Sequence, residues 1–235
     1  DIEGFEREDE GRRVSARVRD VGEELPALLA RIQQAGHRVD DVELMSNRAY
    51  GSEEELACLG LAVLGPRPAA RILVGGLGMG FTLRAVLDGL VGQDEAEVVV
   101  AELFPTVVNW NRTWLGRLAN HPLEDPRVQV VEVDVGHLLA GSTQAFDLVL
   151  LDVDNGPEPL TIDANRYLYT PRGIATLRNA LRPGGVAAVW SASHDVHFAN
   201  RLHRGGFEVE VHQVSARPGG KGDRHVIFVG RKNVR

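Results

Sequence analysis

The sequence has few of the features that build thiolate sites, membrane spans or nucleic-acid surfaces. Its single cysteine, Cys58, excludes a disulfide framework and a cysteine metal cluster within these residues, and we expect its thiol to be buried on an apolar helix. No stretch approaches the roughly eighteen uninterrupted apolar residues of a membrane helix. A net charge of −7 argues against a surface that follows a phosphate backbone. We therefore expect no membrane and no nucleic acid among the partners.

The composition is typical of one globular core. The 235 residues are 43% hydrophobic and 25% charged, enough for a full-sized domain with a small appendage. The first residues are charged, unlike a signal peptide, so we expect a cytoplasmic protein. We divide the chain into an N-terminal extension, residues 1–51, and an α/β domain, residues 52–235. Apolar residues recur at helical spacing over residues 23–35, so the extension is expected to be small and helical.

The most informative stretch is RILVGGLGMG at residues 71–80. Three apolar residues run into a turn with four glycines: Gly75, Gly76, Gly78 and Gly80. A strand, a glycine turn and the start of a helix form a nucleotide cradle, because glycine lets the backbone approach a ligand and adopt positive φ values. The alternative is a tight connection without a ligand. An NAD-binding turn is disfavoured, since its third glycine would fall on Phe81.

Acidic residues stand at the ends of the strands that follow. Glu102 ends a buried strand some twenty residues beyond the glycines, where a carboxylate can accept both hydroxyl hydrogens of a ribose. Asp134 ends the next strand and is placed either to accept a hydrogen bond from an adenine amino group or to cap a short helix. Asp152 and Asp154 end a third apolar run. They either bind a ligand at the carboxyl edge of the sheet or brace the loop that follows.

Strands and helices alternate five times and finish on a hairpin. This alternation predicts an α/β fold with a doubly wound, mainly parallel seven-stranded sheet and a terminal antiparallel hairpin. Before the glycine turn, a helix is predicted over residues 53–64, with Ser52 and Glu55 at capping-box spacing. The acids in its first turn either face a ligand or are simply solvated.

Four stretches resemble the spermidine synthase (polyamine aminopropyltransferase) family within the class I S-adenosylmethionine-dependent methyltransferase fold. They are ILVGGLGMGFTLR, DPRVQVVEVD, LLDVDNGP, and LYT with the later RPGG, within roughly residues 50–215. The resemblance implies that Glu102 holds the ribose and Asp134 faces the adenine of an adenosyl donor. It implies that Asp154 takes the proton of the attacking amine, while Asp152 contacts the amine or the cationic tail of the donor.

The resemblance also supplies complete candidate sets. The donor site consists of Gly75, Gly76, Gly78, Gly80, Glu102, Leu103, Asp134, Val135 and Asp152. The catalytic residues are Asp154 and Asp152. The acceptor site consists of Tyr50, Glu53, Glu54 and Tyr169.

The sequence departs from the family at two places. Leu77 and Met79 interrupt the turn that the family reads as Gly-Gly-Gly-Asp-Gly, and only Val153 separates the two loop aspartates, where the family has two residues. A carboxylate is thus missing from the turn, where a decarboxylated donor prefers one. His194 and His197 have the spacing of a metal-ligand pair, but no third ligand is near, and we prefer a helix start there.

We expect a metal-independent alkyl transferase whose co-substrate is S-adenosylmethionine or its decarboxylated form. The leading function is transfer of an aminopropyl group to a small polyamine acceptor. The first alternative is a methyltransferase acting on a small molecule, and the second is a non-catalytic module that binds an adenosyl ligand. A homodimer is left open.

Overall fold

The computed structural model describes residues 6–7, 14–15, 37–39, 42–45, 49–153 and 163–233. Its strands are β1 (Glu6–Arg7), β2 (Val14–Ser15), β3 (His37–Val39), β4 (Val42–Met45), β5 (Arg71–Gly75), β6 (Glu97–Glu102), β7 (Val128–Glu132), β8 (Phe146–Leu151), β9 (Leu181–Ser191), β10 (Phe207–Arg217) and β11 (Lys221–Lys232). Its α-helices are α1 (Gly51–Leu64), α2 (Phe81–Gly89), α3 (Pro105–Trp110), α4 (Val135–Ala140), α5 (Pro171–Ala180) and α6 (Val196–Arg204). A π-helix, Asn111–Leu115, continues α3, and 3₁₀ turns cover Gly116–Ala119, Pro122–Glu124 and Asp163–Tyr169.

Seven strands form one sheet in the order β10-β11-β9-β8-β5-β6-β7. The strands from β5 to β9 pair in parallel, and β11 is antiparallel to both β9 and β10. The chain builds outward from β5 to β7 and then returns to the other side of β5 at β8. Ligands bind outside the carboxyl ends of the strands at such a reversal. The predicted doubly wound, mainly parallel sheet with a terminal hairpin is confirmed.

The core lies on both faces of this sheet. On β5, Ile72 and Val74 pack in the layer that contains α1, α2 and α3, whereas Leu73 packs in the layer of α4, α5 and α6. All three side chains are fully buried, and each such burial contributes about 1.5–3 kcal/mol. Because both faces are covered, the central strands read as continuous apolar runs rather than as alternating patterns.

Several helix starts follow the sequence signals. Pro105 opens α3 at a position where its missing N–H costs nothing. The hydroxyl of Thr170 accepts a hydrogen bond from the N–H of Gly173 at the start of α5. The carboxylate of Asp195 accepts one from the N–H of Phe198 at the start of α6. These side chains satisfy amide groups that the first helical turn leaves free.

Two local predictions are wrong, and one strand starts inside a family motif. Helix α1 begins at Gly51 and has no side-chain cap, because the hydroxyl of Ser52 binds elsewhere, so the capping box does not form. The thiol of Cys58 is exposed rather than buried, since it lies on the outer side of α1. Strand β9 begins at Leu181, because the RPGG segment is taken into the strand and its pairing with β8 shifts register there.

The described parts of the N-terminal extension include four short strands. Strands β1 and β2 form one antiparallel pair and β3 and β4 another. Val39 and Val42 face each other in the second pair, which suits β-branched side chains. The helix predicted over residues 23–35 lies outside the described residues, and the domain division at residue 51 stays a prediction. No helix in the described ranges is both long and apolar enough to span a bilayer.

Candidate functional site

The glycine turn after β5 runs against the carboxyl end of β8. Three of its glycines have positive φ values: Gly76 (89°), Gly78 (50°) and Gly80 (86°). This region favours glycine. A Cβ atom on Gly76 would lie 2.3 Å from the carbonyl oxygen of Asp152, so no side chain fits between the turn and β8. The side chains of Leu77 and Met79 are buried, and these two departures from the family pattern therefore pack into the protein.

Glu102, the residue predicted to hold a ribose, is hydrogen bonded to the glycine turn. It is only 7% exposed; its Oε2 accepts the N–H of Leu77 at 2.9 Å and its Oε1 accepts the N–H of Phe104 at 2.9 Å. Burial raises the pKa of this carboxyl, and the backbone amides oppose part of that rise. The amides of Leu103 and Gly78 also lower this pKa, so four backbone N–H groups surround the carboxylate. Leu103, the next residue, is exposed.

Asp134 stands at the end of the neighbouring strand and caps α4. Its Oδ1 accepts the N–H of His137 at 2.9 Å, which is the structural alternative considered for this residue. Its Oδ2 has no hydrogen bond to a residue in the described part of the chain. Val135, which follows, packs on the turn: its Cγ2 lies 2.8 Å from the position of a Cβ on Gly75. The donor-site candidates on β5, β6 and α4 therefore share one edge of the sheet.

Two further carboxylates lie close together at this edge. Asp152 follows β8 directly, and Glu53 lies in the first turn of α1; we call them the carboxylate pair. The hydroxyl of Thr82, at the start of α2, donates to Oδ2 of Asp152 at 2.8 Å. The Oε2 atom of Glu53 is buried and has no hydrogen-bond partner among the described residues.

The pKa of each member of the carboxylate pair is raised. Burial is the largest cause in both, and it raises the pKa of Asp152 to about 6 against the opposing hydrogen bond from Thr82. For Glu53, the negative charges of Asp152 and then Glu54 raise the pKa further. Two carboxylates in partial burial are unfavourable together without a cation. The pair is thus suited to a cationic group that carries N–H donors.

The structure separates the remaining acceptor-site candidates. The pKa of Glu54 is raised by burial and then by Asp88 and Glu55, so its carboxylate interacts with α2 rather than with Asp152. The ring of Tyr50 stacks on Phe81 with centroids 4.3 Å apart, beside the glycine turn. Of the acids in α1, Glu53 is the one that the fold brings to Asp152.

Two other predicted residues remain, Tyr169 and Asp154. The ring of Tyr169 is buried and packs edge-on against Phe198, with centroids 5.5 Å apart, in the core below α5 and α6. Asp154, the predicted base, lies outside the described residues. Its catalytic role stays a prediction.

A hydrogen-bonded cluster beside Glu53 was missed. The indole N–H of Trp190 donates to the hydroxyl oxygen of Ser52 at 3.0 Å, and that hydroxyl lies 2.9 Å from Nδ1 of His225. Trp190 is on β9 and His225 on β11, so both strands fix the start of α1 next to Glu53. The partners are 138 and 173 residues from Ser52, and no local spacing signals them.

Asn111 also supports the turn and was missed. Its Nδ2 donates to the carbonyl of Gly78 at 2.9 Å and to the carbonyl of Val107 at 3.0 Å. It is the first residue of the π-helix, a distortion that is frequent at functional sites. The sequence signal that could have pointed to Asn111 is its position directly after Trp110, which is buried.

The histidine pair at the start of α6 has a structural setting. Asp195, between His194 and His197, caps the helix, and the ring of His194 lies over Phe228 with centroids 6.3 Å apart. Within the described ranges, no group of three or more His, Cys, Asp or Glu residues is arranged to hold a metal ion.

Known proteins resemble the chain in sequence and in fold. Polyamine aminopropyltransferase 1 of Streptomyces coelicolor is 32% identical over 128 residues, covering 54% of this chain and 23% of that protein. Polyamine aminopropyltransferase of Pyrobaculum aerophilum is 27% identical over 137 residues, covering 57% of this chain and 44% of that protein. The chain therefore spans less than half the length of these curated relatives.

Among solved structures, spermidine synthase from Thermotoga maritima superposes with a TM-score of 0.63 at 20% identity, over 83% of this chain and 64% of that one. This likeness shows the fold. The model of the spermine/spermidine synthase domain matches residues 53–205, from Glu53 in α1 to the residue after α6. That range includes the glycine turn, Glu102, Asp134 and the carboxylate pair, and the chain belongs to the spermine/spermidine synthase domain family.

Proposed function

We propose that this chain binds decarboxylated S-adenosylmethionine and transfers its aminopropyl group to a polyamine acceptor. The observation that carries the proposal is the carboxylate pair, in which the buried Oε2 of Glu53 has no hydrogen-bond partner among the described residues. A primary ammonium group supplies both the positive charge and the N–H donors that this pair calls for. The relatives described above are named polyamine aminopropyltransferases, and the proposal assigns that reaction to this chain.

The adenosine part of the donor would lie along the turn. Glu102 offers two oxygens to the ribose hydroxyls, and its bonds to the N–H groups of Leu77 and Phe104 fix both oxygens in place. Asp134 would offer Oδ2 to the adenine amino group, since its Oδ1 is engaged in capping α4. The positive φ values of the turn glycines let the backbone approach the ligand closely.

The carboxylate pair also bears on the choice of donor. S-adenosylmethionine carries a carboxylate on its tail, which two adjacent carboxylates would repel, whereas the decarboxylated form ends in an ammonium alone. The missing acid of the glycine turn argued against the decarboxylated donor. Glu53 supplies a carboxylate from α1 in its place, and this favours aminopropyl over methyl transfer.

The sulfonium of the donor already activates the neighbouring carbon, so the protein's task is alignment and proton removal. The acceptor nitrogen attacks that carbon, the carbon–sulfur bond breaks, and its electron pair leaves with a neutral thioether. Positioning the nitrogen in line with this bond is the main contribution of the site. The new ammonium loses a proton to a carboxylate, for which Asp154 is proposed on the family resemblance. Asp152, with a pKa of about 6, is mostly ionised at neutral pH and holds the donor ammonium.

Calorimetric titration tests the proposal with four ligands: decarboxylated S-adenosylmethionine, S-adenosylmethionine, methylthioadenosine and NAD. Glu53→Gln should weaken the decarboxylated donor by roughly 10- to 100-fold, since a hydrogen bond to a charged group contributes about 1.5–3 kcal/mol. Methylthioadenosine, which has no ammonium, should bind the variant as it binds the wild type. Glu55→Gln is the matched control because Glu55 lies on the exposed side of α1. Transfer is then followed as methylthioadenosine released with a diamine acceptor.

Tighter binding of S-adenosylmethionine than of the decarboxylated form, with no effect of Glu53→Gln, would favour the methyltransferase alternative. Adenosyl-ligand binding without any release of methylthioadenosine would favour the non-catalytic module. Tight binding of NAD without a response to the adenosyl thioethers contradicts the whole assignment.

A further inference from the structure

A second cleft lies at the amino edge of the parallel strands, away from the glycine turn. It encloses about 680 Å³ between the segment before β8, the end of α5, the start of β9 and the end of β11. Its lining contains two cationic side chains, three amide side chains and no carboxylate: Gln144, Ala175, Arg178, Asn179, Pro183, Lys232 and Asn233. We call it the amino-edge cleft.

The two cations of this cleft have no acidic partner among the described residues. Lys232 is only 9% exposed, and its Nζ donates to the carbonyl of Leu181. The Nε of Arg178 is buried and has no hydrogen-bond partner in the same part of the chain. Arg178 as a whole is half-buried, whereas Lys232 is buried. Buried charges are ordinarily paired, so this arrangement leaves the charge of Lys232 and the Nε donor of Arg178 unused.

Arginines nearby show the usual arrangement. Arg67 and Arg182 both bind the buried carboxylate of Asp147, with N–O distances of 2.7 Å and 2.6 Å. Asp147 thus neutralises cations close to the amino-edge cleft, yet none of its contacts extends to Arg178 or Lys232. Among the described residues, Arg178 and Lys232 therefore have no carboxylate partner, although the neighbouring arginines have one.

Arg178 and Lys232 also oppose each other. Burial lowers the pKa of Lys232, and the positive charge of Arg178 lowers it further. Two like charges held together in a chain of net charge −7 are unfavourable unless an anion lies between them. An oxyanion would accept N–H bonds from the planar guanidinium, the ammonium and the lining amides.

We propose that the amino-edge cleft is a binding site for a small phosphate-class oxyanion, either free or carried on a metabolite, with Arg178 and Lys232 as its charged contacts. The site is separate from the carboxylate pair, which lies at the carboxyl end of the parallel strands. It stands whether or not the chain transfers an aminopropyl group.

Calorimetric titration with inorganic phosphate at low ionic strength tests this site. The wild type should bind one phosphate per chain, and Lys232→Gln and Arg178→Gln should each weaken it at least 10-fold. Arg172→Gln is the matched control, because Arg172 lies on α5 outside the cleft and is exposed; its affinity should stay within twofold of the wild type. Equal affinities in all four proteins, or no phosphate binding by the wild type, would overturn the proposal.

Arg178 needs a second variant because it packs on Gly206, where an added Cβ would lie 2.8 Å from its Nε. Arg178→Lys keeps the charge and should retain more affinity than Arg178→Gln. Phosphate should raise the melting temperature of the wild type and of Arg172→Gln but not of Lys232→Gln, and equal rises in all three contradict the site. Parallel titrations with a phosphorylated sugar separate carried from free phosphate, since the tighter ligand identifies the form preferred.

Discussion

Replacing Asp152 by asparagine should stabilise the ligand-free protein at neutral and alkaline pH. The carboxyl of Asp152 has a pKa of about 6 in the folded protein, against 3.8 as its ordinary value, and burial is the main cause. The folded state therefore holds a proton that the unfolded state has lost between these two pH values. The contribution of Asp152 to the free energy of unfolding is therefore largest below pH 4 and falls as the pH rises through about 6.

The size of this effect follows from the pKa difference. A difference of about two pKa units corresponds to about 3 kcal/mol, of which about 2 kcal/mol should be lost between pH 4.5 and pH 8. Asparagine has almost the same shape, and its carbonyl oxygen can still accept the hydrogen bond from Thr82. Asp152→Asn should therefore remove the unfavourable charge while preserving the local contacts.

Urea unfolding of the wild type and Asp152→Asn, measured at several pH values from 4.5 to 8, checks this prediction. The variant should gain stability relative to the wild type as the pH rises, while Glu55→Gln, on the exposed side of α1, should show no such trend. A constant difference between variant and wild type over this range would refute the reasoning about the carboxylate pair. The decarboxylated donor should stabilise the wild type far more than the variant, because the charge that destabilises the free protein holds the ligand.

Four further changes test the donor site and its supports. Gly76→Ala should destabilise the protein by about 1–3 kcal/mol in urea unfolding, since its φ is 89° and its Cβ would meet the end of β8. Glu102→Gln should weaken methylthioadenosine binding at least 10-fold in calorimetry, and unchanged affinity would remove the ribose role. Trp190→Phe loses the bond to Ser52, worth about 1 kcal/mol, and should raise KM for the donor more than it lowers kcat; an effect on melting temperature alone would limit Trp190 to stability. Asp154→Asn should keep donor binding and lose turnover, and full turnover would exclude it as the base.

The fold was predictable because its signals are local and repeated. Each parallel strand is a short apolar run bounded by turn residues, and burial on both faces makes such runs continuous. The start of α1 was predicted wrongly for the converse reason. Ser52 has the spacing of a capping box, but its hydroxyl finds better partners in Trp190 and His225, which come from strands far along the chain. Tertiary contacts of this kind leave no trace in local spacing.

The candidate site was predictable in part. The carboxyl ends of parallel strands lie on the same side of the sheet, so the acids at or just after the ends of β6, β7 and β8 were expected together. Glu53 and Glu54 are adjacent in sequence, yet successive helical residues point about 100° apart, and only the packing of α1 decides that Glu53 faces Asp152. The amino-edge cleft gave no sequence signal, because Arg178 and Lys232 are 54 residues apart along the printed chain and come together only in the folded sheet.

The buried carboxylate of Asp147 cross-links several segments at the amino end of the sheet. Its carboxylate accepts hydrogen bonds from Arg67, from Arg182 and from the N–H of Arg71, so the segment before β5, the start of β5 and the start of β9 are tied to the start of β8. At the other end, the carboxyl group of Glu53 is left short of donors. Separating the strands at the Asp147 end breaks three hydrogen bonds to one buried charge, whereas at the Glu53 end one carboxylate oxygen is left without a donor among the described residues. The amino end of the sheet is therefore cross-linked through one buried carboxylate, and local opening in amide hydrogen exchange should be rare there.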